Sequence, residues 1–154
     1  MSRISRSQDL RLAVALVRAK AEGYTEAMDV LIVEDERIIS LAASKMVESL
    51  GHRVLGRIPS AEEALERLEI LRPDIVLMDI HLQGQMDGIE AADMIRKRWK
   101  IPLVYTSAFT DADTRRRADA TEPLAFLAKP VKLSVFKGIF EGLANSRSRE
   151  TDSP

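Results

Sequence analysis

Short apolar runs alternate along the chain with longer stretches in which apolar residues recur at helical intervals. The apolar runs predict five strands, at 30–33, 54–58, 75–78, 101–105 and 124–128. Runs of this length are typical of strands buried on both faces of a sheet. The stretches between them predict five helices, at 36–50, 61–71, 89–99, 111–120 and 133–144.

This alternation predicts an α/β fold in which helices cover both faces of a parallel sheet. Right-handed crossovers make such a sheet doubly wound. The first, third and fourth runs are the richest in apolar residues, whereas the second and fifth are poorer, as expected of edge strands. The pattern therefore fits the flavodoxin-like (βα)5 arrangement with strand order 2-1-3-4-5.

Residues 1–27 precede the first strand and form an N-terminal extension. Ser5 and Gln8 have the spacing of a capping box, and apolar residues follow at helical intervals, which predicts one helix. Met28 is an alternative translation start. Two interpretations of the extension therefore remain: an incidental sequence, or a helix for docking or dimerisation.

The composition is that of a soluble globular protein of one domain, which we place at 28–145, followed by a disordered tail at 146–154. The net charge of −1 gives no basic stripe for nucleic acid. The absence of cysteine excludes disulfides and thiolate metal sites. No apolar run approaches the ~18 residues needed to span a bilayer, so we expect a cytoplasmic protein without membrane insertion.

Polar residues whose side chains can bind ligands or react follow four of the predicted strands. In a doubly wound sheet, ligands bind outside the carboxyl ends of the strands. The residues at these ends are Glu34, Asp35, Asp79, Thr106, Ser107, Lys129 and Pro130. Each alone is typical of a solvated residue or a turn, but together they place three acids, a hydroxyl and an amine at one rim.

Three carboxylates at one rim repel one another unless a cation lies between them. Oxygen ligands without histidine or cysteine side chains favour a hard ion, and Mg²⁺ is the natural choice. Asp79 ends the central strand and is the best candidate nucleophile, because carboxylates form acyl phosphates. Glu34 and Asp35 suit metal binding, and Lys129 supplies a positive charge for a phosphate oxygen.

These residues resemble the receiver domain of bacterial response regulators in two-component systems, and the resemblance covers residues 29–144. The motifs that carry it are Val33-Glu34-Asp35, Asp79 at the phosphoacceptor position, Met86-Asp87-Gly88 and Lys129-Pro130. The resemblance implies that Pro130 follows a cis peptide bond.

The resemblance also implies a set of ligands. The implied Mg²⁺ ligands are Asp35, Asp79, the backbone carbonyl of His81 and, through water, Glu34. The implied phosphate contacts are Lys129 and the backbone N–H groups of His81 and Ala108.

Two side chains of the family's switch have counterparts here. The family has a hydroxyl residue five positions after the proline of the fourth strand, followed by a small residue. Counting from Pro102 and requiring Ala108 next selects Ser107 rather than Thr106. Phe126 occupies the position of a rotating aromatic switch, and its alternative interpretation is an ordinary core residue.

The chain departs from the family pattern in two places. The loop at 79–87 lacks the usual proline and is one residue longer, a change that Gly84 can absorb by adopting positive φ. The resemblance therefore does not extend to kinase choice or dephosphorylation rate. Residues 115–117 of the fourth helix are three successive arginines, which form either a solvated face or part of a signalling surface.

The resemblance implies a phosphorylation-dependent switch. Because only about ten polar residues follow the last predicted helix, we expect a stand-alone receiver, a monomer or weak dimer that does not bind nucleic acid directly. Asp79 would accept a phosphoryl group from a histidine kinase or a histidine phosphotransfer protein, and a downstream protein would receive the signal. The alternative is a scaffold of the same fold that is never phosphorylated. An enzyme with a free substrate is disfavoured, because the sequence lacks an Asp-x-Asp pair after a strand, a Walker loop and a GxGxxG motif.

Overall fold

The computed structural model describes Val14 and residues 26–151. The chain divides into two compact units, one of residues 27–139 and one that combines residues 1–26 with 140–154. The larger unit contains the sheet and every predicted site residue. The helix predicted for the N-terminal extension lies outside the described residues apart from Val14, which is helical.

Strands and helices alternate through the larger unit, as predicted. The strands are β1 (Asp29–Val33), β2 (Arg53–Ile58), β3 (Ile75–Asp79), β4 (Leu103–Ser107) and β5 (Ala125–Ala128). The helices are α1 (Arg37–Ser49), α2 (Ala61–Leu68), α3 (Gly88–Trp99), α4 (Ala112–Asp119) and α5 (Leu133–Thr151). All the strand pairs are parallel, in the order β2-β1-β3-β4-β5, which confirms the predicted fold class and strand order.

The central strands are the most deeply buried part of the sheet. Every residue of β3 is buried, whereas the edge strands β2 and β5 each mix buried with more exposed residues. This difference explains why the central runs are continuously apolar and the outer ones are broken.

Strand β4 lies two residues later than predicted. It begins at Leu103, after Pro102, and ends at Ser107. The polar residues at its end belong to the strand because Thr106 pairs with Asp79 of β3. The apolar pattern alone therefore predicts a strand that begins two residues too early.

Side-chain caps fix where α2 and α3 begin. Ser60 Oγ accepts a hydrogen bond from the backbone N–H of Glu63 at 3.2 Å. Asp87 accepts from the N–H groups of Ile89 and Glu90, and the Glu90 carboxylate accepts from the N–H of Asp87, which completes a capping box. Both helices therefore have fixed starting points beside the carboxyl ends of the strands.

Helix α5 is longer than predicted. We expected it to end at residue 144 and a disordered tail to begin at 146, but residues 146–151 are helical. The hydroxyls of Ser146 and Ser148 each donate to a carbonyl four residues earlier, at 3.1 Å. This segment contains neither glycine nor proline, so its polarity alone does not end the helix.

Within the described residues, no helix combines the length and apolar character needed to cross a membrane.

His52 is a buried polar residue in the turn before β2. Its Nδ1 accepts a hydrogen bond from the backbone N–H of Met28 at 3.1 Å, so this nitrogen carries no proton. Burial lowers the pKa of His52 from its ordinary value. The folded state therefore disfavours the charged imidazole.

We expect the free energy of unfolding to fall as the pH is lowered through about 6.5, because the unfolded chain then binds a proton at His52 that the folded chain excludes. In His52→Asn, the Oδ1 atom can replace Nδ1 as acceptor without titrating. Urea unfolding at a series of pH values should give this variant a shallower loss of stability than the wild type. Equal pH dependence in the two proteins would contradict this role.

Gly88, the first residue of α3, lies directly against the end of β3. A Cβ atom at this position would lie 2.1 Å from the backbone oxygen of Asp79. The N–H of Gly88 also donates to the carbonyl of Ile80 at 3.1 Å. A side chain here would therefore push apart the strand end and the helix.

Gly88→Ala should destabilise the protein by about 1–3 kcal/mol in urea unfolding, since overpacking outweighs the better helix propensity of alanine. The matched control is Gly138→Ala in α5, where a Cβ meets nothing within 4 Å. This control should be neutral or stabilising by up to ~1 kcal/mol. If Gly88→Ala were as stable as the control, the backbone would have to shift easily enough to avoid the clash between the new Cβ atom and the Asp79 oxygen.

Candidate functional site

The carboxyl ends of β1 and β3 bring three acids together. Asp79 is the last residue of β3, and Glu34 and Asp35 follow β1, the neighbouring strand. One carboxylate oxygen of each residue lies within 4.8 Å of those of the other two. Asp79 and Glu34 are 4% and 5% exposed, so their charges are largely removed from water.

Lys129 lies between two of these acids. Its Nζ is 2.5 Å from Glu34 Oε2 and 3.2 Å from Asp79 Oδ2. The N–H of Lys129 donates to the carbonyl of Ser107 at 2.8 Å, which fixes the end of β5 beside β4. The peptide bond from Lys129 to Pro130 is cis, as the resemblance implies.

The charges of this cluster influence one another. Burial raises the pKa of Glu34, against the hydrogen bond from Lys129. Burial alone would lower the pKa of Lys129, but the hydrogen bond to Glu34 and the charge of Asp79 outweigh it, so this pKa is raised. The lysine therefore stays charged in spite of its burial.

The donor atoms of the cluster fit a hard divalent cation. The three acids and one lysine carry a combined charge of −2 when all are ionised, and every side-chain donor facing the ion would be an oxygen. Mg²⁺ prefers such oxygen ligands and commonly uses one or two carboxylates together with water. The arrangement can therefore hold Mg²⁺ beside a charged amine and a buried carboxylate.

Backbone groups of the loop after β3 already contact two of these carboxylates. The N–H of His81 donates to Asp79 Oδ1 at 3.0 Å, and the N–H of Gln83 donates to Asp35 Oδ2 at 3.3 Å. Gly84 has φ of 133°, so the positive φ predicted for the longer loop is present. The main chain of His81 thus lies beside the acids, where the predicted carbonyl ligand is needed.

The two candidate hydroxyls at the end of β4 have different surroundings. Ser107 is buried, and its Oγ donates to the carbonyl of Phe109 at 2.7 Å and accepts from Thr110 Oγ1 at 2.9 Å. Thr106 instead lines an apolar cavity of about 440 Å³ beneath α1. Ala108 is exposed and directly follows Ser107. The selection of Ser107 remains a prediction.

The side chain of His81 has a contact that the sequence did not reveal. Its Nε2 lies 2.7 Å from the carbonyl oxygen of Phe109, which is also the acceptor for Ser107. The contact joins the loop after β3 to the loop after β4. The sequence disfavours the His81 side chain as a metal ligand or base, because no second histidine or cysteine accompanies it, and no pattern marks a contact between residues 28 positions apart.

Two of the three successive arginines contact neighbouring elements. The guanidinium carbon of Arg115 lies 4.3 Å from the ring centroid of Phe126, and Arg117 forms an ion pair with Asp87 at 2.7 Å. Arg116 pairs with Asp113 of its own helix, at 3.0 Å. The run is therefore more than a solvated face, although its place in a signalling surface stays a prediction.

Phe126 is partly buried, and its ring centroid lies 6.1 Å from that of the fully buried Tyr105. It packs against the core on one side and the Arg115 guanidinium on the other. Both interpretations of Phe126, as switch and as core residue, are compatible with this position.

Sequence reasoning missed Glu62 in α2. Its Oε1 accepts hydrogen bonds from the N–H groups of Gln85 and Met86 at 3.1 and 2.9 Å. The sequence marks this contact only weakly, because glutamate is common in the first turn of any helix, where it interacts favourably with the helix dipole.

Comparisons with known proteins agree with this geometry. Residues 30–140 match the family model described as the response regulator receiver domain. The transcriptional regulatory protein PdtaR of Mycobacterium tuberculosis is 36% identical over 121 residues, which cover 79% of this chain and 58% of that protein. The phyllosphere-induced regulator PhyR of Methylorubrum extorquens is 31% identical over 105 residues, which cover 68% of this chain and 39% of that protein.

A solved structure gives the same result. The signal receiver domain of a modulated diguanylate cyclase from Desulfovibrio desulfuricans G20 superposes with a TM-score of 0.76 at 35% sequence identity. The match covers 81% of this chain and 99% of that domain, whereas this chain spans less than two thirds of PdtaR and PhyR. The chain belongs to the response regulator receiver domain family.

Proposed function

We propose that the protein is a phosphorylation-dependent signalling switch in which Asp79 accepts a phosphoryl group. The observation that carries this proposal is the position of the Asp79 carboxylate. It is buried at the end of the central strand, 3.2 Å from the charged amine of Lys129 and within 4.8 Å of two further carboxylates. A carboxylate placed in this way can act as a nucleophile toward phosphorus when a cation balances the neighbouring charges.

Asp35, Asp79 and the backbone carbonyl of His81 would hold Mg²⁺, with Glu34 contributing through water. The ion supplies charge neutralisation for the carboxylates and for the phosphoryl group in transfer. The contact of Gln83 N–H with Asp35 supports this ligand set, because it holds the loop close to the acids.

In the phosphoryl transfer, groups of this chain contact the phosphorus atom and its oxygens. An oxygen of Asp79 forms a bond to phosphorus while the bond from phosphorus to the donor nitrogen breaks, and the electron pair returns to the donor imidazole. Lys129 is placed to bind one phosphoryl oxygen. The backbone N–H groups of His81 and Ala108 bind others.

Phosphorylation then shifts the population between two states of the domain. Ser107 leaves the carbonyl of Phe109 and donates to a phosphoryl oxygen. Phe126 rotates inward, away from Arg115. The contact between Arg115 and the Phe126 ring supports such coupling, because it links α4 to the residue that moves.

The donor and the target in this proposal are proteins. Large apolar side chains stand exposed at the rim of the site: Ile38 is 84% exposed in α1, and Phe109 is 74% exposed after β4. Such residues favour the docking of a histidine kinase or a histidine phosphotransfer protein over a small free substrate. A downstream protein would bind the phosphorylated form.

Incubation with acetyl phosphate and Mg²⁺ should add one phosphoryl group to the wild-type protein, measured by intact-protein mass spectrometry. The gain should disappear with EDTA and in Asp79→Asn, which keeps the side-chain shape but loses the nucleophilic carboxylate. The matched control is Asp113→Asn, an acid 82% exposed on α4, which should be phosphorylated like the wild type.

A phosphoryl gain that persists in Asp79→Asn would place the acceptor elsewhere. A wild-type protein that takes up no phosphoryl group and binds neither Mg²⁺ nor beryllofluoride in calorimetric titrations would support the scaffold alternative instead.

A further inference from the structure

The loop between β3 and α3 presents two successive backbone N–H groups to one carboxylate. The N–H groups of Gln85 and Met86 both donate to Glu62 Oε1, at 3.1 and 2.9 Å. Successive N–H groups that point to one side form a concave anion-binding arrangement in many proteins. Here the anion is a side chain of the same protein, 23 residues earlier in the chain.

Gly84 allows this close approach. Its φ of 133° is a conformation that other residues rarely adopt, and a Cβ atom would lie 3.2 Å from Glu62 Oε2. The loop backbone therefore packs directly on the carboxylate.

The carboxylate of Glu62 is carried by a rigid element. Glu62 is the second residue of α2, and the side chain of Ser60 caps this helix. Negative charge in the first turn of a helix is favourable because of the helix dipole. The position of the carboxylate is therefore set by the helix rather than by the loop.

Three carboxylates hold successive parts of the loop. Asp79 accepts from His81 N–H and Asp35 accepts from Gln83 N–H, while Glu62 holds the following segment. The first two acids are also the proposed metal ligands, so their oxygens would serve both the loop and the cation. Glu62 lies outside the acid cluster, so a cation bound there would not compete for its carboxylate.

We infer that Glu62 is a positioning residue for the metal site. By binding Gln85 and Met86, it keeps the loop in the conformation in which the main chain of His81 lies beside Asp79. This role deepens the proposed function and rests on it, because it requires that the acid cluster binds Mg²⁺.

In the test, Mg²⁺ is titrated into the full-length protein by calorimetry, and amide hydrogen exchange is measured by NMR. Glu62→Ala should lower Mg²⁺ affinity about tenfold, a typical loss when a group that orients a metal ligand is removed. The amides of Gln85 and Met86 should lose protection. Glu62→Gln keeps an oxygen acceptor and should restore both properties to near the wild-type values.

Glu63→Ala is the matched control. Glu63 is the next residue of α2, and its carboxylate pairs with Arg67 at 3.5 Å instead of the loop. Its removal should leave Mg²⁺ affinity unchanged. A second variant, Gly84→Ala, disturbs the same contact from the loop side and should weaken Mg²⁺ binding while Glu62 is intact.

The rate of phosphorylation by acetyl phosphate provides a further readout. In Glu62→Ala the rate should fall at low Mg²⁺ and recover at saturating Mg²⁺, because only the metal site is misplaced. Wild-type Mg²⁺ affinity in Glu62→Ala, or an equal loss in Glu63→Ala, would overturn the role of Glu62. A wild-type protein that binds no Mg²⁺ would overturn the proposed function itself, so the two failures are distinguishable.

Discussion

The ion pairs of Lys129 with Glu34 and Asp79 are the interaction on which the arrangement of the site depends. Burying a carboxylate without a partner costs several kcal/mol, and here two carboxylates are almost fully buried side by side. The lysine offsets part of that cost, at 2.5 and 3.2 Å from the two acids. It can do so only because the strand order and the hydrogen bond from its N–H to Ser107 bring the end of β5 to the same rim.

This rim combines fixed and adjustable parts. The acids stand at the ends of buried strands, whose positions are fixed by the sheet. Apart from Ser107 at the end of β4, the groups that would contact a phosphoryl group lie just outside the strands: Lys129 and the backbone N–H groups of His81 and Ala108. His81 and Ser107 share one acceptor, the carbonyl of Phe109, so both side chains contact the same backbone group of the loop after β4. The acids that would bind the cation are therefore held rigidly, whereas the groups that would respond to phosphorylation can change their contacts.

The sequence predicts the strand order and the acid cluster because both follow from short-range patterns. Apolar continuity identifies the central strands, and topology then brings their polar end residues together. Contacts between distant side chains leave no such pattern. Glu62 with the loop, His81 with Phe109 and Arg117 with Asp87 depend on the relative placement of neighbouring elements. The length of α5 is not predictable in the same way, because a polar composition does not distinguish the end of a helix from its polar continuation.

Helix α4 is attached to the domain in an unusual way. Ala118 is its only buried residue, and its contacts with its neighbours include the Arg117–Asp87 ion pair and the Arg115 guanidinium over Phe126. Exposed ion pairs contribute about 0–1 kcal/mol each, far less than a buried apolar face would. A change of a few kcal/mol at the rim is therefore larger than the contribution of either of these two exposed contacts alone. Dissolved salt screens the same charges, which makes the resting position of α4 a function of ionic strength.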